Sequence, residues 1–490
     1  MGEGIVKKLT LYGAAVVSGA FLALAFPPYS YWGLGWIALA PLLIAVRRAS
    51  DTREAANLGA VAGLVFYGFT MRWLVSVFGV VAGAFWCIFA LQLALFCVLM
   101  KLLRDHLQDR EGASLIWTAA AGVVWVGIEY FRSEVWWLEC SWLALGYSQG
   151  GSAAAFQSVR LWGVYGLSGI LAAASAALSL LSERKRIPTE LGVGFAAMIL
   201  FLGARRVEEV AVERGREITV ALVQSERFDM NAMADLSVTR DARNADLVVW
   251  PEYGFNVRPQ QRDQFRRLLH QKLEGSRAVA VLGAAEFPEE KGDSMSNYAW
   301  VIGPDGRELG RYDKAHPIPY IEQALPANPD PRPVQTPLGP LGIQICYDLD
   351  FEDGARRMAR MGAGMLVVPN MDPSDWGEAQ HKIHSAMAPF RAVESGLWIA
   401  RSASSGISQI IDPVGRVRAS LPYGVEGVLV GKAYVNKGGT PYTRGGWVVA
   451  PGCTLGTGLL ILWLGGISYP TRRLIPSRSP EASVFGSNFY

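Results

Sequence analysis

A succession of long apolar segments dominates residues 1–205 of this chain. A helix needs roughly 20 mostly apolar residues to cross the hydrocarbon core of a bilayer, and fewer where the bilayer thins locally. The segments predict seven helices, at about 9–26, 32–46, 55–78, 80–103, 114–131, 160–182 and 189–204. A further apolar segment at about 451–468 predicts one more crossing. The sequence therefore predicts a polytopic membrane protein.

The overall composition agrees with this prediction. Hydrophobic residues make up 51% of the chain and charged residues only 18%, whereas soluble domains carry about 25% charged residues. The formal net charge of +3 is small, and the sequence has no basic stripe with interleaved aromatic residues. We therefore expect no nucleic-acid partner.

The positions of the basic residues predict how the helices are oriented. Lysine and arginine clusters occur before the first predicted helix and after every second crossing, as is typical of cytoplasmic segments. The clusters are Lys7-Lys8, Arg47-Arg48 with Arg53, Lys101 with Arg104 and Arg110, Arg184-Lys185-Arg186, and Arg472-Arg473 with Arg478. This pattern predicts four parts, namely a transmembrane domain at 1–205, an outward-facing domain at 206–448, a last transmembrane helix at 449–470 and a cytoplasmic tail at 471–490.

Residues 217–440 have a different pattern, in which short β-rich segments alternate with amphipathic ones. Two segments, 259–273 and 353–361, have helical periodicity. Strands are predicted at 218–224, 246–250, 278–282, 298–302, 342–346, 365–369, 398–402 and 408–412. This alternation predicts a layered α/β domain.

Three reactive side chains stand where strand-like segments end. Glu252 follows a buried apolar segment and a proline, Lys314 follows Tyr312-Asp313, and Cys346 is the last residue of a strand-like run. A thiol needs a base within hydrogen-bond reach, and Glu252 can be that base if burial raises its pKa. A fixed ammonium such as that of Lys314 can stabilise the oxyanion that forms when the thiol attacks a carbonyl. The three residues together predict acyl transfer through a cysteine thioester.

Each of these residues, taken alone, is more often structural than catalytic. A cysteine in an apolar run is usually a small core residue. A glutamate after Trp-Pro usually lies in a surface turn, and a lysine after Tyr-Asp usually lies at a solvated strand end. Only the joint occurrence of the three favours a catalytic set. The five cysteines and five histidines have no metal-ligand spacing, so we expect neither a metal site nor a cofactor.

The three contexts resemble the Glu-Lys-Cys catalytic set of the nitrilase, or carbon–nitrogen hydrolase, superfamily. The whole chain resembles one branch, the apolipoprotein N-acyltransferases, through short motifs in the same order. They are Ala25–Pro28, Ala38–Leu43, Leu145–Gln149, Gly163–Ser168, Asn297-Tyr298, Pro319–Glu322, Arg391–Glu394, Asp412–Arg416 and Thr440–Tyr442. The resemblance implies a multi-helix transmembrane bundle plus an α/β nitrilase-like domain, an αββα sandwich. It also implies the bacterial inner (cytoplasmic) membrane, with the catalytic domain on the periplasmic side.

The resemblance also implies residue roles. Glu252 would be the general base, Lys314 the oxyanion stabiliser and Cys346 the nucleophile. The residues that would support them are Glu322, Tyr347 and Asp348, and the family often has glutamate where this chain has Asp348.

Two tryptophans are candidates for substrate loops. Trp376 matches a residue of a mobile loop in the family, although the preceding residues 371–375 depart from the usual pattern. Trp142 lies with Trp136 and Trp137 in an outer loop, where indoles either anchor helices at the membrane interface or guide lipid. The segment 224–246 is shorter than in many members and lacks a tryptophan, which predicts a different acyl-donor preference.

The reaction that the resemblance implies has two steps. Cys346 takes an acyl chain from a membrane phospholipid, and the α-amino group of a lipoprotein's N-terminal diacylglyceryl-cysteine then attacks the thioester. The resemblance implies no cofactor and a monomer. Three alternatives stay open. They are a membrane-anchored amidase or nitrilase acting on a small amide, a lipid transporter or flippase with a non-catalytic outer domain, and a scaffold that has lost catalysis.

Overall fold

The computed structural model describes residues 2–108, 110–183, 192, 198, 212–273, 276–287, 295–322 and 325–467. The predicted helix at 189–204 and the predicted tail at 471–490 lie outside these residues, apart from two isolated positions in the helix. Within the described residues, a helical region is followed by a domain with two β-sheets and by a final long helix.

The described part of the helical region contains eight α-helices. They are α1 (Gly2–Ala25), α2 (Ala40–Arg48), α3 (Thr52–Thr70), α4 (Leu74–Phe78), α5 (Ala82–His106), α6 (Ala113–Tyr130), α7 (Ala153–Gln157) and α8 (Val159–Ser179). Five segments of the described chain are long and apolar enough to cross a membrane, namely Gly4–Ala25, Leu74–His106, Ala113–Val135, Val159–Ser179 and Gly446–Gly466. The membrane bundle that the sequence predicts is therefore present, while the count of seven crossings plus one stays a prediction.

The segments predicted as single helices at 32–46 and 55–78 are divided differently in the structure. The segment predicted at 32–46 is divided into a short 3-10 helix, Trp32–Trp36, and α2. The segment predicted at 55–78 starts earlier, because the Asp51 carboxylate caps α3 by accepting a hydrogen bond from the Glu54 N–H at 2.8 Å. It also ends earlier, at Thr70, and α4 continues toward α5 instead.

The two-sheet domain contains twelve strands among its described residues. They are β1 (Arg216–Gln224), β2 (Leu247–Val249), β3 (Phe255–Val257), β4 (Val279–Glu286), β5 (Ser296–Ile302), β6 (Glu308–Asp313), β7 (Leu341–Ile343), β8 (Met365–Asn370), β9 (Ile399–Ala403), β10 (Ser408–Ile411), β11 (Val417–Leu421) and β12 (Gly427–Val435). Seven of them form one sheet, ordered β12-β1-β2-β4-β5-β6 with β3 beside β4, and five form the other, ordered β11-β10-β9-β8-β7.

Four strands, β3, β6, β11 and β12, were not predicted from the sequence. The longest of them, β12, pairs antiparallel with β1 from Arg216↔Val435 to Gln224↔Gly427. Most of β12 is only half-buried, and β11 is partly exposed. These strands therefore lack the continuous apolar run that identifies the buried strands.

Helices cover the outer face of each sheet. They are α9 (Met230–Ser237), α10 (Arg262–Lys272), α11 (Glu352–Arg360), α12 (Glu378–Ser385) and α13 (Ala388–Ser395), followed by α14 (Pro441–Arg444) and the final helix α15 (Val449–Ile467). Met233 of α9 and Leu269 of α10 pack on the first sheet. Met358 of α11 and Ala392 of α13 pack on the second. The domain is an αββα sandwich, as expected.

Helix α13 joins the sandwich to the membrane bundle. Its Ala392 packs on the second sheet, whereas Phe390 belongs to the apolar cluster of the helical region. The Glu394 carboxylate accepts a hydrogen bond from the Val164 N–H at 2.7 Å. This contact lies where Gly163, with φ of +71°, interrupts α8 and frees that N–H from the helix. A buried carboxylate therefore fixes the sandwich on the bundle.

Candidate active site

Glu252 lies beyond the end of a central strand. β2 ends at Val249, and the Trp250 N–H donates to the Val281 carbonyl of β4 at 2.9 Å. The Glu252 backbone then passes so close to β4 that a Cβ on Gly283 would lie 2.6 Å from the Glu252 Cα. Gly283 is therefore required, because any side chain there would displace Glu252.

The Glu252 carboxylate accepts three hydrogen bonds. Lys314 Nζ donates to Oε1 at 2.8 Å, and Asn297 Nδ2 donates to the same oxygen at 2.6 Å. The Met371 N–H donates to Oε2 at 3.0 Å. Lys314 directly follows β6, and its N–H donates to the Asn297 carbonyl of β5 at 3.0 Å. The first sheet therefore places Lys314 beside Glu252.

A second glutamate, Glu322, holds the other side of the Lys314 ammonium. Lys314 Nζ donates to Glu322 Oε2 at 2.7 Å. The Tyr253 hydroxyl at 2.5 Å and Asn297 Nδ2 at 3.1 Å donate to Glu322 Oε1. Lys314 is only 1% exposed, and a buried ammonium is tolerated only when carboxylates compensate its charge.

The two glutamates differ in their affinity for a proton. Burial raises the pKa of Glu252, and the Lys314 ammonium offsets only part of that rise. Burial also raises the pKa of Glu322, but Lys314 and the other donors outweigh it and hold this pKa below its usual range. Glu322 is thus the lasting counter-ion of Lys314, and Glu252 is the group suited to take up a proton.

Cys346 lies just beyond the end of β7 and opens a short 3-10 turn, Cys346–Asp350. Its φ of +50° is in the left-handed region, which non-glycine residues rarely adopt and which often marks a functional site. Burial raises the pKa of the Cys346 thiol well above its usual range; the Glu252 carboxylate raises it further, and Lys314 lowers it. The resting nucleophile is therefore a thiol that needs a base.

The backbone of Met371 connects the base with the nucleophile. The Met371 N–H donates to Glu252 Oε2 at 3.0 Å, and the Met371 carbonyl accepts from Cys346 Sγ at 3.6 Å. Met371 directly follows β8, which pairs in parallel with β7. Strand ends from both sheets therefore bring the three predicted catalytic residues to one place, as the sequence predicted, and their catalytic roles remain a proposal.

Asp348 lies two residues after the nucleophile and accepts several hydrogen bonds. Its buried carboxylate accepts from the backbone N–H groups of Ala315 at 3.0 Å and His316 at 2.6 Å. It also accepts from the Ile345 N–H at 2.9 Å and the Tyr312 hydroxyl at 3.1 Å. Asp348 therefore ties the nucleophile turn to the segment that follows Lys314.

Replacing Asp348 by asparagine should destabilise the protein. Burial raises the pKa of Asp348, but His316 and the backbone donors outweigh it and hold the pKa low, so the group is a carboxylate. The asparagine side chain keeps one acceptor oxygen, but its NH2 group would face N–H and O–H donors that now bind the second carboxylate oxygen. The loss should lower the free energy of unfolding by about 2–3 kcal/mol. Thermal unfolding in detergent would measure this. The matched variant Asp235→Asn, whose side chain is 72% exposed, should change little, and an unchanged Asp348→Asn midpoint would contradict these hydrogen bonds.

Tyr347 and Trp376 contact the membrane region. The Tyr347 hydroxyl donates to the Glu139 carbonyl in the loop after α6. Trp376 lies in the segment after β8, and its ring stacks on that of Trp73, with centroids 5.8 Å apart. Both candidates therefore lie between the sandwich and the bundle.

Trp142 is buried rather than exposed at the membrane interface. Its Nε1 donates to Asp350 Oδ2 at 2.5 Å, and its ring stacks on that of His384 at 5.2 Å. Trp137 of the same loop is 61% exposed. An anchoring role therefore suits Trp137, whereas Trp142 packs inside the protein, beside the nucleophile turn.

Two adjoining cavities reach this site. One, of about 460 Å³, is lined by Glu252 and Glu322 and by apolar side chains. The other, of about 100 Å³, is lined by residues of the segment that includes α4 and α5, together with Tyr347. Ile318, Ile321 and Trp376 line both cavities. The two cavities therefore share an apolar wall, with membrane helices on one side of it and Glu252 on the other.

Two contributors to the site could not be predicted from the sequence. Asn297 was noted only as part of a motif, although it donates to both Glu252 and Glu322. Met371 acts through its backbone, for which a side-chain motif gives no signal. Among the described residues, no group of three His, Cys, Asp or Glu side chains is placed to hold a metal ion.

Comparisons with known proteins agree with this architecture. The family model for the apolipoprotein N-acyltransferase N-terminal domain matches residues 18–177, and that for carbon-nitrogen hydrolase matches residues 209–436. A solved Nesterenkonia amidase has 23% identity and a TM-score of 0.39, over 48% of this chain and 96% of its own.

Curated relatives match nearly the whole chain. The apolipoprotein N-acyltransferase of Geobacter metallireducens is 30% identical, over 92% of this chain and 94% of its own length. That of Gloeobacter violaceus is 24% identical, over 89% of this chain and 91% of its own length. The first relative is similar enough, over enough of both chains, to decide the family. This chain belongs to the apolipoprotein N-acyltransferase family.

Proposed function

We propose that the protein transfers a fatty acyl chain from a membrane phospholipid to the α-amino group of the N-terminal diacylglyceryl-cysteine of a lipoprotein. The observation that carries this proposal is a buried Glu252, Lys314 and Cys346 set beside a cavity of about 460 Å³. That cavity adjoins a second one lined by membrane helices, so a substrate anchored in the bilayer can approach Glu252 along apolar side chains.

The first step forms an acyl-enzyme. Glu252 takes the proton of the Cys346 thiol, and Sγ attacks the ester carbonyl of the phospholipid. Lys314 stabilises the tetrahedral oxyanion. The C–O ester bond then breaks, and the lysophospholipid alkoxide leaves with the proton held by Glu252. The products are a lysophospholipid and an S-acyl Cys346.

The second step transfers the acyl chain to nitrogen. The α-amino group attacks the thioester carbonyl, and Glu252 accepts the proton that this nitrogen loses. The C–S bond breaks, an amide is released and Cys346 regains its proton from Glu252. The apolar lining near the site, including Met371, Pro373 and Trp376, disfavours water, which would otherwise hydrolyse the thioester.

The positions of the basic residues support a location in the cell. We place the protein in the bacterial inner membrane with the sandwich on the periplasmic side, because the basic clusters flank the opposite ends of the predicted helices. One chain carries Glu252, Lys314, Cys346 and Glu322, so a monomer suffices for the reaction.

A reconstituted transfer assay tests this function. Purified protein in phospholipid vesicles is given a synthetic lipopeptide with an N-terminal diacylglyceryl-cysteine, and the lipopeptide is analysed by mass spectrometry. We expect its mass to rise by one fatty acyl group, located on the α-amino nitrogen. An N-acetylated lipopeptide is the matched control and should stay unchanged.

Two outcomes would contradict the proposed function. Hydrolysis of a small amide without acylation of the lipopeptide would favour an amidase. Movement of labelled phospholipid between leaflets, with no covalent product, would favour a transporter.

A further inference from the structure

A second buried charge cluster lies beside the proposed site. His384 of α12 is 5% exposed and lies between two aspartates. Its Nδ1 is 2.6 Å from Asp372 Oδ1, and its Nε2 is 3.1 Å from Asp350 Oδ1. The proposed acyl transfer makes no use of these groups.

The two buried carboxylates beside His384 favour the doubly protonated form of its ring. Each ring nitrogen of His384 faces a buried carboxylate oxygen, and only an imidazolium donates from both nitrogens. Arg401 Nη2 lies 2.8 Å from Asp372 Oδ2 and 3.2 Å from His384 Nδ1, so both cations share the Asp372 carboxylate. Two cations and two carboxylates thus form a compensated cluster.

The two aspartates belong to the two segments that carry the reaction. Asp350 ends the turn that starts at Cys346. Asp372 directly follows Met371, whose N–H binds Glu252 and whose carbonyl binds the Cys346 thiol. Trp142, from the membrane region, donates to Asp350 and stacks on the imidazole. The His384 ring therefore adds a second link between the nucleophile turn and the Met371 segment, besides the Cys346–Met371 hydrogen bond.

We propose that His384 is a positioning residue, whose imidazolium joins Asp350 to Asp372 and thereby holds Cys346 and Glu252 at reacting distance through Met371. This inference rests on the proposed function. Its consequence is that acylation of Cys346 depends on the protonation of a residue that touches neither substrate nor the reacting atoms.

The surroundings of His384 set the pH at which this link is lost. The charged and titratable groups that face it are Asp350, Asp372, Arg401 and, on its own helix, His381. Burial lowers the pKa of His384, but Asp372 and Asp350 outweigh it and raise the pKa to about 9. Because this pKa is raised, the link is intact at neutral pH and is lost as pH rises through about 9.

The test compares His384→Gln with His270→Gln. His270 is an exposed histidine on α10, which packs on the first sheet. The initial rate of S-acyl enzyme formation from phospholipid is measured in mixed micelles between about pH 6 and pH 10. At neutral pH we expect His384→Gln to lower kcat by about 10- to 100-fold, with KM changed by less than about twofold. His270→Gln should behave like the unmodified protein.

The pH profile separates positioning from folding. The rate of the unmodified protein and of His270→Gln should fall as the pH rises through about 9, whereas His384→Gln should lack this falling limb of the pH profile. Lys314 does not produce it, because its carboxylate partners hold its pKa well above the usual range. A His384→Gln variant that keeps the falling limb, or keeps the full rate, would overturn the inference.

A second variant covers the case in which His384→Gln does not fold. Asp350→Asn removes one of the two carboxylates, so the falling limb should move to lower pH by about one unit. An unmoved limb would overturn the inference. If the unmodified protein forms no S-acyl enzyme, the proposed function itself fails, whereas a rate insensitive to these variants defeats only the role of His384.

Discussion

Replacing Cys346 by serine should abolish the acyl-enzyme. The unmodified protein, incubated with phospholipid, should gain one fatty acyl mass on the peptide that contains Cys346, and hydroxylamine should remove it. A serine hydroxyl is a much weaker nucleophile than a thiol and its ester resists mild hydroxylamine, so the labile adduct should disappear. Transfer to a lipopeptide should fall to background, a loss that can reach the order of 10⁶-fold when a covalent nucleophile is removed.

A second thiol in the same chain provides the control. Cys87 is exposed on α5, and Cys87→Ser should keep both the adduct and the transfer rate. Circular dichroism and the unfolding midpoint should match between the two variants, because Cys346→Ser removes little volume. A hydroxylamine-labile acyl group that persisted in Cys346→Ser would place the nucleophile elsewhere and contradict the proposed mechanism.

The main features of this site could be predicted because they are local in the sequence. Glu252, Lys314 and Cys346 each follow a strand, and functional side chains are often found just beyond the ends of strands. The helical bundle could be predicted because apolar runs of about 20 residues are typical of helices that cross a membrane. The half-buried strand β12 was not predicted, because Gly427, Gly431 and Lys432 leave its apolar residues in two short runs.

What the sequence could not show is how distant segments combine. Trp142 and Asp350 are 208 positions apart and share a buried hydrogen bond. His384 has no neighbouring motif, and it becomes notable only when two aspartates from separate loops face its ring. Likewise, the different protonation of Glu252 and Glu322 follows from their hydrogen-bond donors, which are known only once the chain is folded.

Replacing Lys314 by methionine should lower both the acylation rate of Cys346 and the stability of the fold. Loss of the oxyanion-stabilising charge should lower the rate of Cys346 acylation by about 10²- to 10³-fold. Without the ammonium, the Glu252 and Glu322 carboxylates keep one donor in common, Asn297 Nδ2, which carries no charge. Uncompensated buried charge of this kind costs about 3–5 kcal/mol, so the unfolding midpoint should fall as well. Lys432→Met, at a 69% exposed side chain, is the matched control and should change neither quantity.

A double variant separates the two effects of Lys314. Burial and loss of the ammonium both favour a neutral group at position 322, so Glu322→Gln added to Lys314→Met should restore much of the lost unfolding midpoint. It should not restore the acylation rate, because no cation then faces the oxyanion. Recovery of rate together with stability would mean that Lys314 acts only as a counter-ion. Failure of the double variant to regain stability would contradict the charge compensation inferred here, since both carboxylates bind the same ammonium at 2.8 and 2.7 Å.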